Sequence, residues 1–448
     1  MKDEYIETVV GSVPQYWRIQ KLEEVSNFIT KGGTPTTYGF DWVDEESGVP
    51  FFRSECVTDD DFNAKGMNFI PVEAHRVMKR SEIKPGDLLM TITGNIGRVA
   101  RAPISFPSAN INQHIARIRI QDETKVSIDY VYHCLKHDGY VTHYRAILTG
   151  QAYPQISLQQ VRETPIALPP LPEQKKIAAI LTTVDEKLDV ISRQITTTRS
   201  LKLGLMQTLF SRGVGSQDAT GRWVAHAEFK DSELGEIPVG WNVVPLGERI
   251  QKLMDFRGRT PKKLGMDWGG GEIPALSANN VRMGYIDFDR ECYLGSEELY
   301  AAWMVQGNTK KNDLVFTMEA PLGNVAVIPD DRKYILSQRV ILLRPNESVT
   351  YKYLFQYLRS SIFTSILDVN STGTTAKGIQ QKRLVQLPVV LPSVGEQEKI
   401  ASILCEVDSK LNILKRKQSS FQAVKRGLMQ KLLTGEWGVK LDSPTGIA

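Results

Sequence analysis

Apolar residues keep a seven-residue beat in two distant stretches of the chain. In the first, Ile177, Val184, Ile191 and Leu205 form one column and Leu181, Leu188, Ile195 and Leu209 the other. In the second, Ile400, Val407, Leu414, Phe421 and Leu428 run beside Leu404, Leu411 and Leu432. Spacings that alternate between four and three place both columns on one helix face, the seam of a coiled coil. Each stretch is therefore predicted as a long helix; at 1.5 Å per residue, roughly 39 residues span about 58 Å. Thr198 and Lys202 interrupt the first seam, and Gln418 and Lys425 the second. Polar seam residues cost stability and fix one register. A helix packed only on its own domain is the alternative. Outside the seams, short β-type runs (DLLMTIT, HIARIRI, DLVFTM, RVILLR) alternate with turn signals and short helical stretches (YVYHCLKH, YLFQYLRS). That pattern predicts compact mixed α/β domains.

The two stretches are copies of each other. Residues 168–209 align without gaps on 391–432, with 20 of 42 positions identical, at an offset of 223. Upstream, GSVPQYW from Gly11 answers GEIPVGW from Gly235, and DLLMTITGNIGRVA from Asp87 answers DLVFTMEAPLGNVA from Asp313. Offsets this steady mean one duplicated domain-plus-helix unit. Prolines 169, 170 and 172 before Glu173, and Pro392 before Glu396, mark the two helix starts, where a carboxylate also suits the helix dipole. The boundaries read as follows: a first domain over 1–165, a helix over 166–212, a linker over 213–230, a second domain over 231–388, a helix over 389–436 and a tail over 437–448. Two like helices that pair antiparallel as a coiled coil would give the molecule an internal pseudo-two-fold, with a globular domain at either end of a spacer.

Composition narrows the class only by exclusion. The chain has 448 residues, 41% hydrophobic and 24% charged, as in soluble folded proteins. No apolar run reaches signal-peptide or membrane-span length, so a cytoplasmic location with no membrane partner is expected. Cys56, Cys134, Cys292 and Cys405 are far apart, which fits neither a zinc site nor a disulfide framework. His133, His137 and His143 lack a fourth ligand or an HExxH pattern, so no metal is expected. Residues 1–165 carry 18 basic and 21 acidic side chains, and 231–388 carry 19 and 18. A nucleic-acid surface must then come from local clustering, not bulk charge. The chain has no phosphate loop of the GxxxxGK[ST] kind and no [DNS]PP[YFW] methyltransferase motif.

The segments TGQAYPQISLQQVRETPIALPPLPEQKKIA and TGTTAKGIQQKRLVQLPVVLPSVGEQEKIA, with the helix ends GLMQTLF and GLMQKLLTGEW, resemble the specificity subunits of Type I restriction-modification enzymes. The resemblance spans the chain twice; Gly395 stands where the first copy has Pro172. It implies a non-catalytic DNA-recognition subunit, each domain reading one half of a bipartite double-stranded target. The paired helices would set the spacing and dock two methylase subunits, with nuclease/translocase subunits joining the complex. The chain itself would need no cofactor; S-adenosylmethionine, ATP and Mg would belong to the partners. The alternative, a self-sufficient methyltransferase or nuclease, needs catalytic motifs that the sequence lacks. A protein-binding coiled-coil scaffold would leave two polar, turn-rich domains without a role.

Base and phosphate contacts call for Arg, Lys, Asn, Gln and hydroxyl side chains on loops. In the first domain the candidates are Lys31, Thr34, Thr36, Arg53, Asn95, Arg98, Asn112, Gln113, Gln151 and Tyr153. In the second they are Arg257, Arg259, Lys262, Ser277, Asn279, Asn280, Gln338, Arg339, Lys377 and Gln380. Loops matched by the repeat are preferred, because equivalent positions carry polar groups without sharing identity.

Overall fold

The computed structural model describes residues 5–150, 154–373 and 376–441. The first copy of the repeat contributes β1 (Ser26–Lys31), β2 (Leu88–Thr91), β3 (Val99–Arg101), β4 (Ile115–Ile120), α1 (Ile128–Leu135) and α2 (Leu171–Ser211). The second contributes β5 (Ile250–Asp255), β6 (Leu314–Thr317), β7 (Val325–Val327), β8 (Val340–Pro345), α3 (Tyr351–Tyr357) and α4 (Val394–Leu432). By internal packing the chain divides into Met1–Ser192 with Arg416–Ala448, called unit 1 below, and Arg193–Lys415, unit 2. Both long helices contribute a half to each unit. Among the described residues no helix is long and apolar enough to cross a membrane.

Each unit is built on the same antiparallel four-stranded sheet, in the order β1-β4-β2-β3 in unit 1 and β5-β8-β6-β7 in unit 2. Strands β2, β6 and β8 read as nearly unbroken apolar runs because both faces are covered. Alternation along β2 sends Leu88 and Met90 to one core and Leu89 to the other. Along β6, Leu314 and Phe316 go to one core and Val315 to the other. The second core of each unit is completed by a smaller sheet with one parallel pairing, Val49–Phe52 with Ala109–Ile111 in unit 1 and Ile273–Leu276 with Ile335–Leu336 in unit 2.

The chain leaves each sheet for its long helix through an antiparallel pair, Arg18–Lys21 with Pro165–Leu168 and Asn242–Pro245 with Pro388–Leu391. There the glutamine of the EQ motif does local work. Gln174 accepts the Ser127 N–H (2.9 Å), ahead of α1, and donates to the Pro169 carbonyl (2.8 Å). Gln397 accepts the Thr350 N–H (2.9 Å), ahead of α3, and donates to Ser348 and Pro392 (both 3.0 Å). Tyr130 and Tyr353 add equivalent bonds to the carbonyls of Ala167 and Val390, both 2.8 Å. Both glutamines are buried, so each of these bonds spares a polar group the cost of burial without a partner.

Within unit 1, Ile177, Ala178 and Leu181 of α2 share a core with Met429 and Leu432 of α4, and Asp185 meets Lys425 at 2.6 Å. Within unit 2, Met206, Leu209 and Phe210 share a core with Ile400, Ala401 and Leu404, and Lys202 meets Asp408 at 2.6 Å. Rising numbers on one helix meet falling numbers on the other, so the helix halves pair antiparallel, in the same register in both units. Ile177, Leu181, Ile191, Ile400, Leu404, Leu411 and Leu414 of the seam are buried, whereas Val184, Leu188 and Val407 are half-buried. Near the helix ends the buried column steps from Leu205 to Met206 and from Leu428 to Met429. A straight helix drifts about 20° per heptad against a strict seven-residue repeat, enough to hand the position to the next residue.

Candidate nucleic-acid interface

Antiparallel pairing decides which loops emerge together. Lys31 at the end of β1 lies opposite Ala116 of β4, and Thr91 at the end of β2 lies opposite Ile115. The loops after β1, after β2 and before β4 therefore leave one rim of the sheet, and they are tied to one another. Gly32 donates to the Asn112 carbonyl (3.1 Å), Thr34 Oγ1 to Gln113 Oε1 (2.9 Å), Ile92 N to the His114 carbonyl (2.9 Å) and Ile156 N to the Ile92 carbonyl (3.0 Å). Gly32 is obligatory at this crossing: a Cβ there would stand 1.6 Å from the Ile111 carbonyl oxygen. The TG loop joins the rim through a bridge of Thr93 with Gln155.

Unit 2 repeats this rim. Asp255 lies opposite Ile341 and Thr317 opposite Val340, Met318 N donates to the Arg339 carbonyl (2.8 Å) and Ile379 N to the Met318 carbonyl (3.0 Å). A bridge of Glu319 with Gly378 brings in the second TG loop. Lys31, Thr34, Asn95 and Gln113 thus share the rim of unit 1, and Arg257, Lys262, Gln338, Arg339, Lys377 and Gln380 that of unit 2. Lys31, Thr36, Asn95, Lys262, Gln338 and Gln380 are exposed. Arg339 holds φ at 68°, the left-handed region that is costly for a side chain of this size.

Several candidate cations already face a carboxylate in their own unit. Arg98 forms a two-point pair with Asp59 (2.9 and 2.7 Å), Arg53 meets Glu55 (2.9 Å) and Arg257 meets Asp255 (2.6 Å). Arg339 meets Glu319 (3.4 Å) and Lys377 meets Asp368 (2.8 Å). Exposed pairs contribute about 0–1 kcal/mol, so exchanging the carboxylate for a phosphate costs little while the pair holds the cation in place. Other candidates serve the fold in this conformation. Asn112 and Asn280 are buried; Asn112 accepts the His114 N–H (3.1 Å), and Asn280 accepts from Ser277 Oγ (2.9 Å) and donates to Asp287 and Arg290 (3.4 and 3.3 Å). Asn279 accepts from Arg290 (3.1 Å). Arg259 caps the short helix Glu297–Trp303 through the carbonyls of Ala302 and Trp303 (3.3 and 2.8 Å). Gln151 and Tyr153 lie outside the described residues, as does Thr375 of the second TG loop.

Sequence reading missed the charged nodes that fasten each sheet domain to the helices, although the repeat offset relates them. In unit 2, Asp408 accepts from Lys202 (2.6 Å), Gln356 (2.9 Å) and Arg359 (2.7 Å). Burial pushes its carboxyl up, but the bond and charge of Arg359, with Gln356 and Lys202, outweigh that and hold it below the usual range. In unit 1 the matching positions are Asp185, Lys425, His133 and Lys136. His133 is fully buried, with Nε2 3.0 Å from Thr182 Oγ1 and Nδ1 3.9 Å from Asp185. Burial, then the charges of Lys425, Arg101 and Lys136, press its pKa well below the usual 6.5; Asp185, too distant for a hydrogen bond and already paired to Lys425, does not reverse this.

The native histidine stays neutral while the unfolded one takes a proton below 6.5, so stability from this site is complete above 6.5 and is lost as pH falls beneath it. Between pH 7.5 and 5.5 the loss is on the order of 1 kcal/mol. His133→Gln, the residue unit 2 carries at this place, is expected to remove that share. Urea unfolding at both pH values checks it, and equal pH slopes for variant and wild type would refute it.

Comparison with known proteins agrees with this architecture. The family model described as Type I restriction modification DNA specificity domain matches residues 14–198 and again 238–421. The putative type I restriction enzyme MjaX specificity subunit of Methanocaldococcus jannaschii is 25% identical over 445 residues, covering 98% of each chain. The MjaVIII specificity subunit of the same organism is 26% identical over 439 residues, covering 96% of this chain and 94% of the relative. The fold resembles the crystal structure of the Type-I restriction-modification system S subunit from M. genitalium, with TM-score 0.56 and 16% identity over 93% of this chain and 96% of that one.

Proposed function

Because the chain belongs to the family of Type I restriction modification DNA specificity domains, and carries that domain twice, we propose that it is the sequence-reading subunit of a Type I restriction-modification complex. The observation that supports this most directly is the repeated rim: one sheet, one loop order and matching main-chain links at Ile92 and Met318, with largely different side chains in each copy. Lys31, Thr36 and His114 stand where unit 2 has Arg257, Lys262 and Arg339. Two readers built alike and lined differently suit a target of two unlike halves. Arg and Lys of the rims hold phosphates and fix orientation, while Gln113, Asn95, Gln338, Gln380 and the TG loops, with Gln151 and Tyr153, reach base edges. The chain performs no chemistry of its own. Methylase subunits bring S-adenosylmethionine, nuclease/translocase subunits bring ATP and Mg, and the complex works in the cytoplasm on double-stranded DNA.

Exchanging residues 1–165 for the first domain of a relative, with His133 retained to meet Thr182 of the helix, is expected to change one half of the recognised sequence and leave the other intact. Methylation mapping in a host that carries the variant with its methylase reads both halves at once. A change in both halves would rule out independent reading.

A further inference from the structure

The internal repeat breaks where the long helices begin. In unit 2, Glu396 is 2% exposed and accepts four donors: the main-chain N–H groups of Val214 (2.9 Å) and Gly215 (3.1 Å), His226 Nε2–H (3.0 Å) and the Trp241 indole N–H (2.8 Å). Gly213 starts this wrap at φ 70°, and a Cβ on it would lie 2.2 Å from the carboxylate. Glu173 is the counterpart in unit 1. It is 8% exposed, yet its contact is with the Tyr16 hydroxyl, at 3.3 and 3.4 Å. Trp17, the counterpart of Trp241, is 2% exposed, and among the described residues its indole N–H has no acceptor. Burial pushes the Glu173 carboxyl up.

The segment after α4 starts along the same path and then departs. Gly435, at φ 69°, sits against the Trp17 ring as Gly213 sits against the Trp241 ring. The next two N–H groups, however, turn away from Glu173: Glu436 donates to Thr434 Oγ1 (3.5 Å) and Trp437 to the Lys431 carbonyl (3.0 Å). Among the described residues the same acceptor is built twice and wrapped once. A nearly buried carboxylate beside a buried indole N–H without an acceptor is costly, and native folds keep such groups rarely.

We propose that Glu173, with Trp17 and Tyr16, binds a protein segment offering what residues 213–226 offer Glu396: two successive main-chain N–H groups and an imidazole or guanidinium. A lone metal ion fits poorly, since the site presents one carboxylate among N–H and O–H donors. The chain itself occupies the copy at Glu396, so one such segment binds per chain. The ligand donates to the carboxylate and displaces the long Tyr16 contact, and the ordered carboxylate then accepts the Trp17 N–H.

The test uses the full chain and a fluorescein-labelled peptide, GVGSQDATGRWVAHA, the sequence of residues 213–227. Fluorescence anisotropy is expected to saturate at one peptide per chain. Glu173→Gln should weaken binding at least about tenfold, because the neutral amide accepts fewer and weaker bonds than the charged carboxylate. Trp17→Phe and a peptide carrying His226→Ala should each weaken it several-fold. The melting temperature of Glu173→Gln alone should match or exceed that of wild type, since among the described residues only the long Tyr16 contact meets that carboxylate in the free chain. No saturable binding, equal binding by Glu173→Gln, or a melting temperature that falls with this substitution would overturn the proposal; the last outcome would make Glu173 a structural residue.

Discussion

Glu396→Ala is expected to lower the stability of the unit spanning Arg193–Lys415 by about 4 kcal/mol, roughly 10 °C in melting temperature for a domain of that size. The substitution leaves the Val214 and Gly215 N–H groups, His226 and the Trp241 indole without their common acceptor in a place where water has little access. Each unsatisfied buried donor costs about 1–3 kcal/mol, and a water admitted by the missing side chain recovers part of the sum. Glu173→Ala serves as the internal control. It removes one long contact to Tyr16, so its effect should stay within about 0.5 kcal/mol. Calorimetry of both variants decides the matter: equal losses at the two glutamates would show that the difference in their partners carries no energy.

Deleting Thr196–Arg199 from α2 together with Leu411–Leu414 from α4 is expected to shorten the preferred gap between half-sites by about two base pairs while both half-site sequences stay the same. Four residues remove about 6 Å of helix, and DNA rises about 3.4 Å per base pair. The ion pairs guide this design. Asp185 with Lys425 and Lys202 with Asp408 share one register, and the deleted tetrads lie between them on both helices, so each pair keeps its partner. Deleting the α2 tetrad alone would move Lys202 off Asp408 and leave Arg359 and Lys202 competing for misplaced charge, a fault of stability that would blur the reading. Methylation assays on sites that differ only in gap length give the result. An unchanged optimum in a variant that assembles with its methylase would mean the helices hold the complex together without measuring the gap.

The EQ motif shows how far sequence reaches. Duplication and periodicity established two mixed α/β domains and two long helices, because a seam repeating every seven residues leaves few other conformations and a copy of itself doubles the signal. The same pattern marked Lys202 and Lys425 as seam breaks that fix register, and each proved to face an aspartate on the opposite helix. Loop candidates such as Lys31, Thr34 and Gln113 were legible as residue types in turns, yet their gathering on one rim depends on strand order, which no local pattern encodes. Asn280 and Arg259 look like readers in sequence, but an amide or guanidinium in a loop has the same letter whether it faces solvent or satisfies a carbonyl. Glu173 and Glu396 open the same EQ motif and are opposite in circumstance. Periodicity and repetition act through neighbours along the chain, so the sequence by itself determined the elements and their duplication, while its resemblance to a known family supplied the class of protein. Which polar groups find partners depends on residues far off along the chain, so the rims, the charged nodes and the unequal glutamates were decided only by the tertiary structure.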